Sequence, residues 1–316
     1  MKNQEIPLIV IAGPTGVGKT DLSIQLAKQF RGQVINADSI QVYQGLDIGS
    51  GKITAEEMQG VPHHLLGVIK PEETYDAKTF QEVACQLIRQ IYQTGHLPIL
   101  VGGTGLYLEG VLYQMEFGGQ ASFDPGYRQF LQERLQLEGA SRLWQDLQAL
   151  DPEACQKIPV QNERRIIRAL EVIHHTGQKF SDQSGHQDQN SCFNELLLVI
   201  NRPRQDLYDR INQRVLTMVD QGLEEEVARL LQFENGRDLP CLKAIGYKEW
   251  LPYFAGHINR QEVVEAIQKH SRHYAKRQLT WFRNRMKNPY WLDASDPQYE
   301  EVAKQVVEDF LVKSER

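Results

Sequence analysis

The residues Gly13-Pro14-Thr15-Gly16-Val17-Gly18-Lys19-Thr20 follow the pattern GxxxxGK[ST]. Glycines at these spacings let backbone N–H groups turn inward around phosphate oxygens. The Lys19 ammonium adds a point charge, and the Thr20 hydroxyl can ligate a magnesium ion held by the phosphates. The octapeptide follows Leu8-Ile9-Val10-Ile11-Ala12, an apolar β-branched run, and precedes a helical pattern, which is the context this chemistry requires. An accidental glycine-rich turn would not bring strand, loop, lysine and helix into agreement. The loop reads phosphates and not what carries them, so a nucleoside triphosphate and another diphosphate ester fit equally.

Further candidates stand where apolar runs end. Val34 to Ala37 leads into Asp38-Ser39-Ile40-Gln41-Val42-Tyr43. A carboxylate at that edge of an α/β sheet is placed for catalysis or a metal-linked role, although by itself an aspartate there is more often a turn former or helix cap. Pro98-Ile99-Leu100-Val101 ends in Gly102-Gly103-Thr104, which would bring backbone amides and a hydroxyl to the same edge. A plain β-turn is the alternative. Arg210 and Arg214 are spaced i,i+4 on a predicted helix and could close over a diphosphate; alone they read as surface charges.

The elements that must position these groups are α/β in pattern. The runs ending at Ala12, Ala37 and Gly103, with Glu195 to Ile200, predict strands of a parallel sheet separated by helices. The expectation is a P-loop NTPase-like core, residues 1–120 and 195–316, carrying a mostly helical insertion, residues 121–194. The polar stretch Ser181 to Asn190 reads as a loop. From Leu207 onward helical signals dominate, including a segment from Arg260 to Met286 with Val263, Ile267, Tyr274 and Trp281 near one face. Four widely separated cysteines disfavour a zinc site and a disulfide framework. The apolar run after Met1-Lys2-Asn3-Gln4-Glu5 is too short for a membrane span, and a cytoplasmic protein with no membrane association and no obligate protein partner is expected.

A formal charge of −6 means that any nucleic-acid contact must come from local clusters. Arg164, Arg165 and Arg168 oppose Ile166, Leu170 and Ile173 on a predicted helix, so one side can pack while guanidiniums meet phosphate. Lys269 to Lys287 holds Arg272, Lys276, Arg277, Arg283 and Arg285 without an acidic residue, interleaved with Tyr274, Trp281 and Phe282. Trp281 and Phe282 are the candidates for touching a base. The adjacent pairs His63-His64 and His174-His175 do not place two imidazoles on one ion, so packing or hydrogen bonding is expected of them.

These motifs, taken in order, resemble the tRNA dimethylallyltransferases, also called tRNA isopentenyltransferases. The resemblance runs through Gly-Pro-Thr-x-x-Gly-Lys-Thr at 13–20, Asp-Ser-x-Gln-x-Tyr at 38–43 and Leu46-Asp47-Ile48-Gly49. It continues through Pro62-His63-His64-Leu65, Tyr75 with Phe80, Gly102-Gly103-Thr104-Gly105-Leu106-Tyr107 and Asn162-Glu163-Arg164-Arg165 with Arg168-Ala169-Leu170-Glu171. It ends in Gly246-Tyr247, Tyr274-Ala275-Lys276-Arg277-Gln278 and Thr280-Trp281-Phe282. The resemblance, to the bacterial type, implies transfer of a dimethylallyl group from dimethylallyl diphosphate to the exocyclic N6 amine of the adenosine just 3′ of the anticodon, with Mg2+ as cofactor. It implies Asp38 as proton acceptor, Lys19, Thr104 and Arg210 as further catalytic groups, and residues 13–20 as the diphosphate site with Thr20 toward the metal. Contact with the anticodon stem-loop would fall to Asp38, Ser39, Ile40, Gln41, Gln161, Asn162, Glu163, Arg164, Arg165, Arg168, Lys276, Arg277 and Trp281. Three rival readings are a P-loop kinase, an adenylate isopentenyltransferase acting on free nucleotides, and a non-enzymatic RNA-binding scaffold. The basic clusters favour a polymeric substrate over a free nucleotide.

Overall fold

The computed structural model describes residues 6–115, 124–184 and 191–314. Six strands form one parallel sheet in the order β3-β2-β4-β1-β5-β6: β1 (Pro7–Ala12), β2 (Gly32–Asn36), β3 (His63–His64), β4 (Leu97–Gly102), β5 (Asn194–Asn201) and β6 (Tyr290–Asp293). The uninterrupted apolar runs are explained by burial on both faces. In β1, Leu8, Val10 and Ala12 enter one core while Ile9 and Ile11 enter the other. Helices α2 (Ala77–Gln93) and α3 (Gly105–Tyr113) cover the first face with Phe80, Ile88, Leu108 and Val111. Helices α1 (Lys19–Gln29), α8 (Arg204–Asp220) and α12 (Tyr299–Ser314) cover the second with Leu22, Leu26, Leu207, Ile211 and Val307.

The chain clusters into two compact units, Met1–Gln114 with Ser191–Arg316, and Met115–Asn190. The second unit holds α4 (Pro125–Glu138), α5 (Ala140–Leu150), α6 (Pro152–Lys157) and α7 (Glu163–Thr176) around Leu131, Leu143, Leu147, Ile166 and Leu170. Asp124, Asp151 and Asn162 cap α4, α6 and α7, and proline opens both α4 and α6. In the first unit a third core joins α9 (Leu223–Leu230), α10 (Leu251–Phe254) and the start of α11 (Arg260–Arg285) to Val42, Leu46, Tyr247 and Trp250. A capping box of Asn259 and Glu262 starts α11.

Two sequence expectations need correction. β6 lies in a region expected to be helical; only Leu292 of its four residues is buried, so it lacks the apolar signal of an inner strand. Along α11 the buried positions are Val263, Val264, Ile267, Ala275, Gln278 and Phe282, while Tyr274 and Trp281 flank them. A seven-residue spacing drifts around a straight helix, so the expected stripe runs off the buried side. Residues 1–5, the expected boundary at 120–121 and residues 185–190 of the polar stretch lie outside the described residues. Among the described residues, no helix is long and apolar enough to cross a membrane.

Candidate active site

β1 and β4 are neighbours, yet the chain leaves β1 toward β2 on one side and leaves β4 toward β5 on the other. The crevice at their C-terminal ends is therefore a topological switch point, where α/β sheets bind ligands. The loop after β1 is Gly13–Thr20. Gly13, Gly16 and Gly18 have φ of 153°, 76° and 108°, and a Cβ at Gly13 would stand 2.7 Å from the Ile200 carbonyl oxygen. These positions therefore require glycine. Gly18 is the left-handed N-cap of α1 and supplies no side-chain cap, leaving first-turn N–H groups for an anion. Val17 packs inward, Pro14 is buried, and the Lys19 ammonium donates to the carbonyls of Gly13 (3.0 Å) and Pro14 (2.8 Å). Burial pulls the Lys19 ammonium down to about 8; Asp38 opposes that shift and Arg214 adds to it.

The loop after β2 presents Asp38. Its Oδ1 accepts from the N–H groups of Ile40 (2.8 Å) and Gln41 (3.3 Å), so the aspartate does form a turn. Its Oδ2 has no hydrogen-bond partner among the described residues. The turn-forming and catalytic readings of Asp38 are thus compatible, since the turn uses Oδ1 alone. Ser39 and Ile40 are half-buried beside it, and Gln41 spends its amide N–H groups on the carbonyls of Ser50 (3.2 Å) and Gly51 (3.3 Å).

The loop after β4 closes the arrangement. A Cβ at Gly102 would fall 2.2 Å from the Ala37 carbonyl oxygen, so only glycine lets the two loops approach. Thr104 Oγ1 accepts from the Ser39 N–H (3.2 Å), tying this loop to the Asp38 turn. The Thr104 N–H reaches the Ala37 carbonyl (3.4 Å), so of the expected amides that of Thr104 is engaged, and what Thr104 itself offers is its hydroxyl. Two residues of α11 stand over the same edge. Burial raises the Tyr274 hydroxyl to about 12, the Asp38 charge adds to this and the Thr104 hydroxyl opposes it, which places all three groups together. Gln278, 5% exposed, accepts from the Thr15 N–H (3.1 Å) and donates to the Gly103 carbonyl (2.8 Å).

Two arginines of α8, Arg210 and Arg214, border the P-loop. Arg210 is exposed and its Nε donates to the Gly16 carbonyl (3.0 Å). Arg214 reaches the Gly51 carbonyl (3.5 Å), and burial lowers its guanidinium while Asp38 and Glu57 oppose that effect. The 46–51 loop is held in turn by Glu226, which sequence reasoning missed. This carboxylate, 1% exposed, accepts from the N–H groups of Asp47 (2.9 Å), Ile48 (2.8 Å) and Gly49 (2.9 Å) and from the Tyr247 hydroxyl (2.8 Å). The Leu46–Gly49 and Gly246-Tyr247 motifs thereby meet on one carboxylate.

The donor set also decides what cation the site could hold. Thr20 is exposed at the start of α1; its carbonyl accepts from the Ser23 hydroxyl (2.7 Å) while its own hydroxyl has no hydrogen-bond partner among the described residues, where no cluster of three or more His, Cys, Asp or Glu occurs. That fits a hard cation carried chiefly by phosphate oxygens with one hydroxyl from the protein, as Mg2+ is carried, and does not fit an all-protein cage.

The expected RNA-facing residues divide by exposure. Gln161, Asn162, Glu163, Arg164 and Arg165 are exposed at the start of α7, where the Asn162 side chain accepts from the Arg165 N–H (3.3 Å). Arg168 is half-buried and 3.9 Å from Glu171, which Arg128 also grips with two nitrogens. On α11, Lys276 and Arg277 are exposed and make no ion pair among the described residues, Arg277 lying 5.6 Å over Tyr274. They line a groove of about 590 Å³ with His273, Trp281 and Arg285. Trp281 packs against the Gly105 backbone beneath Arg285, which pairs with Glu109. Phe282 is 0% exposed within the core, so the expectation that it touches a base is withdrawn. The histidines are hydrogen-bonded or stacked: His63 to the Val61 carbonyl, His64 to Gln33, and His174 on Tyr127.

Comparison with known proteins places this architecture. The family model described as IPP transferase matches residues 41–285. The chain is 44% identical to a tRNA dimethylallyltransferase of Bacillus subtilis (strain 168), covering 97% of each chain, and 47% identical to one of Anoxybacillus flavithermus, covering 92% of this chain and 91% of that one. Among solved structures, the full-length tRNA isopentenylpyrophosphate transferase of Bacillus halodurans superposes with a TM-score of 0.74 at 40% identity, covering 99% of this chain and 98% of that one. A eukaryotic dimethylallyltransferase captured acting on tRNA gives a TM-score of 0.83 at 28% identity, covering 98% of this chain and 80% of that one. With its sheet-edge site, its sequence along almost its whole length and its fold all in agreement, the chain belongs to the IPP transferase family.

Proposed function

We propose that the chain transfers a dimethylallyl group from dimethylallyl diphosphate to the exocyclic N6 amine of the adenosine 3′-adjacent to the anticodon in tRNA, giving N6-(dimethylallyl)adenosine and diphosphate. The carrying observation is an Asp38 carboxylate with one oxygen unpartnered, set against a P-loop whose cations are Lys19, Arg210 and Arg214. Such a site binds a diphosphate on one side and accepts a proton on the other. The relatives' names as tRNA dimethylallyltransferases support this reading.

In the reaction the N6–C1 bond forms as the bond from C1 to the diphosphate oxygen breaks. Negative charge grows on the departing diphosphate, where the amides at the start of α1, Lys19, Arg210 and Arg214 are aligned in advance to receive it. Bound magnesium, held by the Thr20 hydroxyl and the diphosphate oxygens, would add charge neutralisation at the same place. Asp38 Oδ2 accepts the N6 proton as alkylation makes the nitrogen acidic. Thr104, fixed by the Ser39 N–H and keeping its own proton, orients the acceptor amine or a diphosphate oxygen. The base must leave its stack to reach this edge, and the exposed cations of α7 and α11 meet the RNA backbone.

The test is magnesium-dependent transfer of labelled prenyl from dimethylallyl diphosphate, with unmodified tRNA and free AMP, ADP and ATP as parallel acceptors. Label on tRNA alone is expected. Label on a free nucleotide would overturn the acceptor assignment, and no label anywhere would overturn the reaction.

A further inference from the structure

We infer that Gln278 is a positioning residue that sets the separation between the diphosphate and the acceptor amine. The inference rests on the reaction proposed above. It comes from one side chain with two distant partners: Gln278 Oε1 accepts from Thr15 of the P-loop, 263 residues away, and Nε2 donates to Gly103 of the β4 loop, 175 residues away. Thr15 belongs to the half-site that would hold the leaving group. Gly103 precedes Thr104, which with Asp38 and Tyr274 forms the half-site for the amine. Beyond the β1–β4 ladder, which ends at the pair Ala12↔Gly102, Gln278 is the one side chain among the described residues that hydrogen-bonds both residues 13–20 and residues 102–104.

The local sequence is shaped around this bridge. A Cβ at Gly103 would stand 2.2 Å from Gln278 Nε2, so glycine there admits the amide. Gln278 occupies a core position of α11 between Ala275 and Phe282, where an apolar side chain would pack without desolvating a polar group. Tyr274 lies one turn earlier on the same helix and faces Thr104, so α11 touches the amine side twice and the P-loop once. A rigid helix spanning both half-sites fixes the in-line approach that transfer of a five-carbon group requires. Because its Oε1 already engages the Thr15 N–H, that amide does not serve as a phosphate donor in the cradle.

Glutamine is the side chain that presents an acceptor and a donor in this geometry. An ionised carboxylate presents acceptors alone; a neutral carboxylic acid again presents one of each. Gln278→Glu therefore keeps the Thr15 bond at all pH values and regains the Gly103 bond only when the introduced carboxyl is protonated, a form that burial favours. Gln278→Met fills the same space and makes neither bond.

The experiment measures kcat, KM for dimethylallyl diphosphate, tRNA affinity and thermal unfolding for the wild type and both variants across pH. The expected result is a fall of about 10- to 100-fold in kcat/KM for Gln278→Met at every pH, with tRNA affinity unchanged. For Gln278→Glu, the activity relative to wild type at the same pH should climb as pH falls, while the methionine variant shows no such recovery. Equal pH profiles for both variants, unchanged kinetics in both, or loss of tRNA binding together with activity would each overturn the positioning role. Failure of the wild type to modify tRNA would instead overturn the reaction proposed above, so the two failures are distinguishable.

Discussion

At the edge of the sheet nearly every polar side chain is tied down. Asp38 Oδ1 holds two amides, Thr104 holds Ser39, Gln278 spans two loops, and Glu226 holds three amides and a hydroxyl. The cationic faces of α7 and α11 are built differently. Arg164, Arg165, Lys276 and Arg277 are exposed and make no ion pair among the described residues. The first region needs sub-ångström placement of reacting atoms, so its groups are fixed in advance. The second needs charge that can follow a flexible polyanion, and a side chain already locked in a salt bridge would have to break it first.

The comparison would break most visibly at Asp38. In the tied-down region a single oxygen is left for chemistry, so Asp38→Ala should lower the transfer rate by about a hundred- to ten-thousandfold, while tRNA affinity, governed by the other region, changes by less than about twofold. Single-turnover transfer and a tRNA binding titration measure the two separately. A variant that binds tRNA poorly and transfers normally once bound would merge the two regions.

Glu226 sharpens the same contrast, because it touches no substrate. Glu226→Ala leaves three buried N–H groups and the Tyr247 hydroxyl without an acceptor. After the loop relaxes toward water, the expected loss is about 3 kcal/mol of stability, read as a lower urea midpoint. The 46–51 loop supplies the Gly51 carbonyl to Arg214, so KM for the diphosphate should rise in the molecules that remain folded. Retention of both stability and KM would show that the loop is held without this carboxylate.

Lys19 gives a smaller effect with a defined pH. Its ammonium is pulled down to about 8 by burial, so part of it is neutral in the free protein just above that pH. An anionic diphosphate restores the proton on binding, and affinity should therefore fall as pH rises through about 8 and stay level below it. The slope approaches about tenfold per pH unit well above the break. Binding of inorganic diphosphate to wild type and to Lys19→Arg, which stays charged throughout, checks the assignment. A break that persists in the arginine variant would belong to another group.

What the sequence shows of this site follows from how local each feature is. The P-loop is legible because strand, glycines, lysine and helix are contiguous. Asp38 and Thr104 are legible because each ends an apolar run at the sheet edge. Gln278 and Glu226 act on partners 175 to 263 residues away, and a single glutamine or glutamate in a helix carries no local pattern that names a distant amide. The available clue was positional: Gln278 falls three residues after Ala275 and four before Phe282, on the buried side of α11, and a polar group there must have partners. Phe282 shows the converse, since its place in a basic segment suggested a base contact while its helical phase put it in the core. β6 was obscured because one buried residue in four gives an edge strand almost no periodicity.

The smallest effect expected tests the exposed region alone. Arg164→Ala and Arg165→Ala each remove a charge that no group among the described residues pairs with, so stability should stay within about 0.5 kcal/mol of wild type. If each guanidinium meets a phosphate, tRNA affinity should fall by a few fold at low salt. The slope of log affinity against log salt should shrink by about 0.7 to 0.9 per residue. Arg168→Ala should behave differently, because Arg168 lies against the mostly buried Glu171: its cost should appear in the urea midpoint more than in the salt slope. A salt slope unchanged by Arg164→Ala and Arg165→Ala, with transfer to tRNA intact, would remove the start of α7 from the RNA contact and leave α11 to carry it.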